Sequence, residues 1–138
     1  MVRKATDNDI EILNNFFTKL SLSRLKYNSP SLNIVESNYL NELSNEEHII
    51  FIDIEDNKEV GYLHGYKKGN RAILDQIYVL EDYREYGIGE ELVKEFKNWS
   101  LYNSLKNIEV TIENGNDAYF LFEKMGFDIT RVLMNLDI

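Results

Sequence analysis

The chain of 138 residues has no cysteine and carries a formal net charge of −9 at pH 7. Its length suits a single domain, 1–138, that buries a core without cross-links, and the lack of cysteine excludes disulfides and thiolate chemistry. The acidic balance argues against a nucleic-acid partner and favours a cationic ligand, unless it serves solubility alone. No apolar run approaches the ~20 residues of a membrane span, so we expect a cytoplasmic protein with no membrane partner.

Apolar periodicity predicts an α/β chain. The predicted elements are, in order, a strand at Val2–Lys4, a helix N-capped by Thr6 that ends before Asn28, a helix near Ile34–Leu43, three antiparallel strands at His48–Ile54, Val60–Lys67 and Arg71–Val79, a helix from Gly87, a strand at Ile108–Ile112, a helix at Asp117–Met125 and a β-rich segment at Asp128–Ile138. The strand at Ile108–Ile112 should run parallel to Arg71–Val79, because a helix carries the connection between them.

A short glycine loop, Gly87-Ile88-Gly89, joins the third of those antiparallel strands to the following helix. Glycine lets the backbone approach a ligand closely, and the first amides of a helix attract anions such as a pyrophosphate. Arg84 can add a full positive charge. A dinucleotide fingerprint would need a third glycine where Leu92 stands, and no Gly-Lys-Ser/Thr run of a P-loop is present. Taken alone, the loop is equally well explained as a turn that merely starts a helix.

The residues Arg84-Glu85-Tyr86-Gly87-Ile88-Gly89 resemble the Arg/Gln-x-x-Gly-x-Gly/Ala signature of the GNAT superfamily of N-acetyltransferases. Ile77–Val79 and Tyr83 precede them, as a strand end and a tyrosine commonly do in that family. A second stretch, Ala118–Phe127, is similar to the family's "A-x-x-x-Y-x-K-x-G-F" pattern. Two motifs in the family order are more specific than either alone.

The resemblance implies a mixed central β-sheet of six or seven strands, mostly antiparallel, with one parallel pair splayed at the acetyl-CoA site and about four flanking helices. It implies acetyl-CoA as the acetyl donor and no metal. The residues that it assigns to the cofactor are Ile77, Tyr78 and Val79 along the pantetheine arm, Arg84, Glu85, Tyr86, Gly87, Ile88, Gly89 and Glu90 around the pyrophosphate, and Asn114, Asn116, Tyr119 and Phe122 further along the chain. Gly115 stands where the family usually has an asparagine, which leaves open whether Asn114 or Asn116 reaches the cofactor arm.

The implied reaction is direct attack of an amine on the thioester, which needs a group that takes the ammonium proton. Asp75 is the first candidate for this base, since it interrupts an apolar strand where similar enzymes often place an acid. It could equally pair with Arg71 or cap a turn. His64 is the second candidate, but strand alternation sets it between Tyr62 and Tyr66, where such a face more often packs against a helix.

Phe122 stands where many members of the family place a tyrosine that protonates the leaving thiolate. Tyr119 lies three residues earlier on the same helix, about 300° around its axis, and cannot simply replace it. Three alternatives remain open: Tyr83, Tyr86 or water donates the proton, the thiolate leaves unaided, or catalysis is impaired.

Three functions are therefore compatible with the sequence. The first is acetylation of a primary amine on a small cationic molecule, such as a polyamine, an amino sugar or an aminoglycoside. The second is acetylation of a protein or peptide amine, and the third is a catalytically weak acyl-CoA-binding regulatory module. By analogy with the family, we expect a homodimer.

Overall fold

The structure is a computed structural model that describes residues 1–27 and 38–138. Its elements are β1 (Val2–Lys4), α1 (Ile10–Leu25), α2 (Tyr39–Leu43), β2 (His48–Glu55), β3 (Lys58–Lys68), β4 (Arg71–Val79), α3 (Ile88–Tyr102), β5 (Asn107–Val110) and α4 (Ala118–Lys124). The predicted strands and helices are confirmed up to α4, within a few residues at their ends. The first part of the predicted helix at Ile34–Leu43 lies outside the described residues.

The five strands form one sheet in the order β1-β2-β3-β4-β5. β1 to β4 pair antiparallel, because short turns connect β2, β3 and β4. β5 pairs parallel with β4, and α3 carries the crossover between them, as predicted. A mixed sheet with one parallel pair results.

One face of this sheet packs against α1 and α2. Leu13 and Phe16 of α1 are 0% and 1% exposed, and they meet Tyr62 of β3, which is also fully buried. The rings of Phe16 and Tyr62 stack with their centroids 5.4 Å apart. The helix-packing interpretation of the Tyr62 face is confirmed, and the inner part of that face holds His64, which is 2% exposed.

The opposite face packs against α3. Leu92 and Phe96 of α3 are fully buried against Leu63 of β3. Phe96 also explains Gly65 of β3, because a Cβ at that position would stand 2.4 Å from the Phe96 ring. Helices therefore pack against both faces of the sheet. The end of the β4–β5 pair is the place where two neighbouring strands can separate.

The prediction of six or seven strands is wrong for the described chain, which has five. The predicted β-rich segment at Asp128–Ile138 forms no strand. Its apolar side chains are largely exposed, with Leu133 and Met134 90% and 89% accessible. Its Arg131 side chain reaches Glu109 of β5 at 3.5 Å. Alternating apolar residues favour a strand only where a sheet edge supplies backbone partners, and this segment makes no ladder with β5.

None of the helices within residues 1–27 and 38–138 combines the length and the apolar character that crossing a membrane requires.

Candidate active site

The parallel strands β4 and β5, at one side of the sheet, separate part of the way along β4. Their paired residues run from Arg71 and Asn107 to Leu74 and Val110, where β5 ends while β4 continues to Val79. Beyond Leu74 the exposed edge of β4 has backbone groups with no β5 partner. This opening is the splayed pair that the sequence resemblance implied, and it can accept an extended ligand along β4.

A β-bulge in β4 lies at the same point. His64 of β3 pairs with Gln76, and the next residue, Gly65, pairs with Leu74, so Asp75 is the extra residue. Bulges bend a strand and re-aim a side chain, and they are common beside active sites. The bulge therefore brings Asp75 to the mouth of the opening between β4 and β5.

The opening is a cleft of about 60 Å³ between α1, β4, the chain after β5 and α4. Its lining includes four residues assigned from the sequence, and most of the others belong to the strands, the loop after β5 and α1. The assigned residues are Asp75, Ile77, Asn116 and Phe122, and the others include Leu20, Arg24, Leu74, Gln76, Val110, Ile112 and Glu113. Phe122 is 2% exposed and packs against Phe127 with ring centroids 5.2 Å apart.

An ion pair between Arg24 of α1 and Glu113, after β5, joins the two sides of the cleft. Asn116 donates to Glu113 at 3.3 Å and accepts the Ala118 amide at 2.9 Å, which orders the start of α4. Asn114 is exposed and does not line the cleft. Of the two asparagines predicted beside the cofactor arm, the geometry therefore brings only Asn116 to the opening.

Two other assigned residues lie away from the cleft lining. The Tyr119 hydroxyl donates to Glu123 at 2.7 Å on the surface of α4. Tyr78 alternates to the α1 face of β4, where its ring lies 6.4 Å from that of Phe16. Only its backbone, like that of Val79, can face an extended ligand.

The glycine loop forms a left-handed turn at the start of α3. Gly87 caps the helix with φ = 81°, and Glu85 has φ = 68°. Glu91 donates its amide to the Gly87 carbonyl at 3.0 Å, which is the first backbone bond of the helix. The amides before it, from Ile88 to Glu90, are therefore the orphan donors of a helix N-terminus. An added Cβ at Gly89 would stand 3.1 Å from the Leu121 side chain, so this glycine lets α4 pack closely against the start of α3.

Arg84 secures this loop to the end of β4. Its Nε donates to the Val79 carbonyl at 2.8 Å, and its guanidinium lies 5.2 Å from the centre of the Tyr78 ring. The Arg84 side chain remains exposed, so its other donors can reach an anion. On α3, Glu90 accepts from Lys124 of α4 at 2.7 Å, which offsets one of the carboxylates near the loop.

A second cavity, of about 240 Å³, lies on the other side of the loop. Tyr86 and Gly87 form one wall, and carboxylates from Asp53, Glu55 and Glu91 line the rest together with the N-terminal residues Met1 and Val2. The N-terminal ammonium pairs with Asp53 and Glu55, but three acidic side chains outnumber this one cation. This larger cavity is therefore a poorer place for a pyrophosphate than the amide side of the loop.

Four titratable side chains from four elements gather beside the bulge. His64 Nδ1 lies 3.7 Å from Asp75 Oδ2, and His64 Nε2 lies 3.6 Å from Glu42 Oε2 of α2. His48 Nδ1 of β2 is 2.9 Å from His64 Nε2, a hydrogen bond whose direction depends on the tautomers. We call Glu42, His48, His64 and Asp75 the titratable cluster.

The protein surroundings shift each pKa in the titratable cluster. Burial raises the pKa of Asp75, and burial together with the nearby Asp75 charge raises that of Glu42. Burial and the neighbouring His48 lower the pKa of His64 to about 4, and burial also lowers the pKa of His48. At neutral pH both imidazoles of the cluster are therefore neutral.

Gln76 orients the carboxyl group of Asp75 through a hydrogen bond. Its Nε2 donates to Asp75 Oδ2 at 3.2 Å, while its Oε1 accepts from Tyr39 at 2.6 Å and from Tyr62 at 2.8 Å. Both tyrosines are buried, and Gln76 itself is 6% exposed. A buried network of this kind fixes the amide, and the fixed amide holds the carboxyl of Asp75.

Sequence reasoning found Asp75 and His64 but missed Glu42, His48 and Gln76. The sequence contained one signal for His48. The turn after Glu55 pairs His48 with Tyr66 in the hairpin, and this pairing places His48 diagonal to His64. No local pattern marks Glu42, which reaches the cluster only because α2 folds onto β2 and β3.

The sheet with one splayed parallel pair and the glycine turn that starts α3 define the acetyltransferase class to which the sequence motifs point. A family described as "Acetyltransferase (GNAT) domain" matches residues 45–129. The chain therefore belongs to the GNAT acetyltransferase family, and the predicted family and enzyme class are confirmed.

Solved structures of low sequence identity share this fold over the whole chain. A tetramutant of the BH1408 protein from Bacillus halodurans is 17% identical, with 100% of this chain and 99% of that chain covered and a TM-score of 0.86. The aminoglycoside N-acetyltransferase AAC(6')-Iy in complex with CoA is 14% identical, with 100% and 98% covered and a TM-score of 0.78. An aminoglycoside acetyltransferase, HMB0005, from an uncultured soil metagenomic sample is 17% identical, with 100% and 97% covered and a TM-score of 0.75. A search of curated proteins found no significant match.

Proposed function

We propose that this chain uses acetyl-CoA to acetylate a primary amine on a small cationic molecule, by direct attack on the thioester. The observation that carries the proposal is the coincidence of three features at Leu74: the end of β4–β5 pairing, the bulge at Asp75 and the cleft between the strands. Together they set an unpaired strand edge next to a carboxyl group.

The cofactor would use backbone groups of β4 and the α3 turn. The pantetheine arm can bond to the free edge at Ile77 to Val79, much as an added strand would. The pyrophosphate suits the open amides from Ile88 to Glu90 and the positive end of the α3 dipole, with Arg84 as a flanking cation. Solved structures of similar fold include a complex with CoA, which is consistent with this assignment.

Asp75 is the proposed base. A primary ammonium with a pKa near 10.4 needs about 4–5 kcal/mol to lose its proton at pH 7, so the site must hold an acceptor for that proton. Asp75 has a side chain that is 44% exposed, so a substrate can reach it. His64, the second candidate, is buried and its pKa falls to about 4, which makes it a poor base for a bound amine.

The charge of the site favours a cationic acceptor. Glu42 and Asp75 carry negative charge above their raised pKa values, and the two histidines of the titratable cluster are neutral at pH 7 because burial lowers both of their pKa values. An ammonium substrate would gain from this negative potential before it gives up its proton. Structures of similar fold include a complex of AAC(6')-Iy with a bisubstrate analogue, CoA-S-monomethyl-acetylneamine, which supports testing aminoglycosides first.

The direct test is release of CoA from acetyl-CoA over a panel of aminoglycosides, amino sugars and polyamines, with peptides that have a free amine as the alternative class. On the best substrate, Asp75→Asn should lower kcat by about 10²–10⁴-fold, the usual contribution of a positioned base, at unchanged acetyl-CoA affinity. Asp128→Asn, an exposed aspartate after α4, is the matched control. Unchanged turnover in Asp75→Asn would remove Asp75 from the mechanism.

A second candidate function, an acyl-CoA-binding module with little turnover, is favoured by Phe122. Its ring lines the cleft and is 2% exposed, and it has no hydroxyl to protonate a leaving thiolate. Tight binding of acetyl-CoA without CoA release on any amine of the panel would support this alternative over the enzyme.

A further inference from the structure

We propose that Glu42, His48 and His64 form a binding site for a divalent transition-metal ion of the zinc type. The three side chains come from α2, β2 and β3, and one ligand atom from each lies within 4.8 Å of the others. Imidazole nitrogen and carboxylate oxygen are ligands that Zn²⁺ prefers. The site lies beside the proposed acetylation cleft but does not depend on that function.

The distances suit one shared ion. Ligand atoms about 2.0–2.2 Å from a tetrahedral zinc lie about 3.4 Å from one another. His48 Nδ1 and His64 Nε2 are 2.9 Å apart, and Glu42 Oε2 is 3.6 Å from His64 Nε2. Small side-chain rotations bring both separations to the required value. Three protein ligands leave a fourth position for water.

The hydrogen bonding of the cluster points to a missing ligand. Glu42 Oε2 and His64 Nδ1 are buried and have no hydrogen-bond partner within the described residues, although buried polar atoms almost always have one. Elsewhere in the chain a buried carboxylate is fully paired: Asp9 accepts two bonds from Arg3, at 2.7 and 2.8 Å, and one from the Thr6 amide at 2.7 Å. Asp53 Oδ1 also lacks a hydrogen bond, but it lies 3.5 Å from the N-terminal ammonium. Glu42 Oε2 instead faces the imidazole of His64 at 3.6 Å, where a metal ion would supply the positive charge.

The outer partner of His64 also matches a metal site. Metal-bound histidines usually direct their second ring nitrogen at a carboxylate, which fixes the tautomer. Asp75 Oδ2 lies 3.7 Å from His64 Nδ1, on the side of the ring away from Glu42 and His48. With the Nδ1 proton directed at Asp75, the Nε2 lone pair of His64 faces the other two ligands.

A bound ion would tie three elements together. Glu42 is on α2, a helix of five residues, and His48 and His64 are on neighbouring strands. The ion would therefore hold α2 against the sheet, and binding to the folded state alone raises stability. We expect Zn²⁺ to raise the thermal midpoint of the full chain.

The test is calorimetric titration of the chelator-treated full chain with ZnCl₂, together with Co²⁺ absorption as a reporter of nitrogen coordination. We expect one ion per chain with a Kd of about 10 μM or tighter, since three protein ligands suffice for zinc binding. His48→Gln and Glu42→Gln should each weaken binding at least about tenfold and abolish the rise in thermal midpoint.

Glu47→Gln, an exposed carboxylate next to His48, is the matched control and should bind Zn²⁺ as the parent chain does. His48 is only partly buried, so His48→Gln should fold even if a change at His64 does not, and circular dichroism without metal checks this. No saturable binding up to millimolar Zn²⁺, or equal binding by the parent and by folded His48→Gln and Glu42→Gln chains, would overturn the site. Neither result depends on acetyl transfer.

Discussion

The titratable cluster and the glycine loop lie at the two ends of the β4 edge that has no β5 partner, yet they are built in opposite ways. The loop offers backbone amides, held open by the left-handed turn at Gly87, and its side chains are mostly exposed. The cluster offers side chains, held by burial and by the Gln76 network. Backbone amides are enough to bind the cofactor, which is the same in every acetyl transfer. Selection of a particular amine needs particular side chains.

This difference predicts which substitutions the glycine loop and the titratable cluster should each tolerate. At the loop, a side chain can change as long as the backbone keeps its turn. At the titratable cluster, replacement of a single atom should matter, because the buried side-chain amide of Gln76 holds the carboxyl of Asp75 by a hydrogen bond. Changes at the loop should therefore affect cofactor affinity, and changes at the cluster should affect turnover.

The largest expected effect is at Gly87. Gly87→Val puts a branched side chain at φ = 81°, which costs about 1–3 kcal/mol in a non-glycine residue. The chain can relieve this strain by turning the amides of the α3 start away from the ligand. We expect acetyl-CoA affinity to fall about 100-fold or more, because the anion site rests on those amides, as measured by calorimetry.

Gly69→Val is the matched control, because Gly69 has φ = 62° and, like Gly87, no atom within 4 Å of an added Cβ. It lies in the β3–β4 turn, and its strain should lower stability to a similar extent without changing acetyl-CoA affinity. Equal loss of affinity in both variants would mean that global destabilisation, and not the loop, explains the effect.

The pH dependence of turnover comes next in size. Burial raises the pKa of Asp75 above the usual 3.8, so protonation of the base begins at a higher pH. At saturating amine and with a chelator present, kcat should fall about tenfold per pH unit below that raised pKa, and this acid limb should be absent from the residual activity of Asp75→Asn. An acid limb below 3.8, or one that persists in Asp75→Asn, would assign it to another group.

The smallest effect is expected from loop charge. Glu85 is exposed and lies in the left-handed turn before Gly87, where its carboxylate repels a phosphate. Glu85→Gln should tighten acetyl-CoA binding about threefold at low ionic strength, and the gain should vanish at high salt. Glu11→Gln, on the exposed side of α1 across the sheet, should show no gain at either ionic strength.

The two ends also differ in how far the sequence predicts them. The loop is a local feature: Gly87, Arg84 and the apolar period of α3 are contiguous, so their geometry follows from neighbouring residues. The antiparallel meander and the parallel β5 follow equally from turns and from the helical crossover. The contribution of Glu42 and His48 could not be predicted locally, because it depends on how α2 packs against two strands.

The final segment shows a second limit. Residues 128–138 have the composition of a strand, but strand formation depends on a partner edge that the sequence of the segment does not specify. The register of the bulge is a third limit. An apolar strand interrupted by Asp75 could be regular or bulged, and the close packing of Gly65 against Phe96 constrains β3 at the point where the register with β4 shifts.

The central claim, that the cleft and the α3 turn bind acetyl-CoA, is tested most directly by calorimetric titration of the parent chain with acetyl-CoA, with ATP as the control ligand. We predict saturable 1:1 binding of acetyl-CoA in the micromolar range, about −8 kcal/mol, and much weaker binding of ATP. Absence of saturable acetyl-CoA binding at millimolar concentration, or equal binding of ATP, would contradict the account.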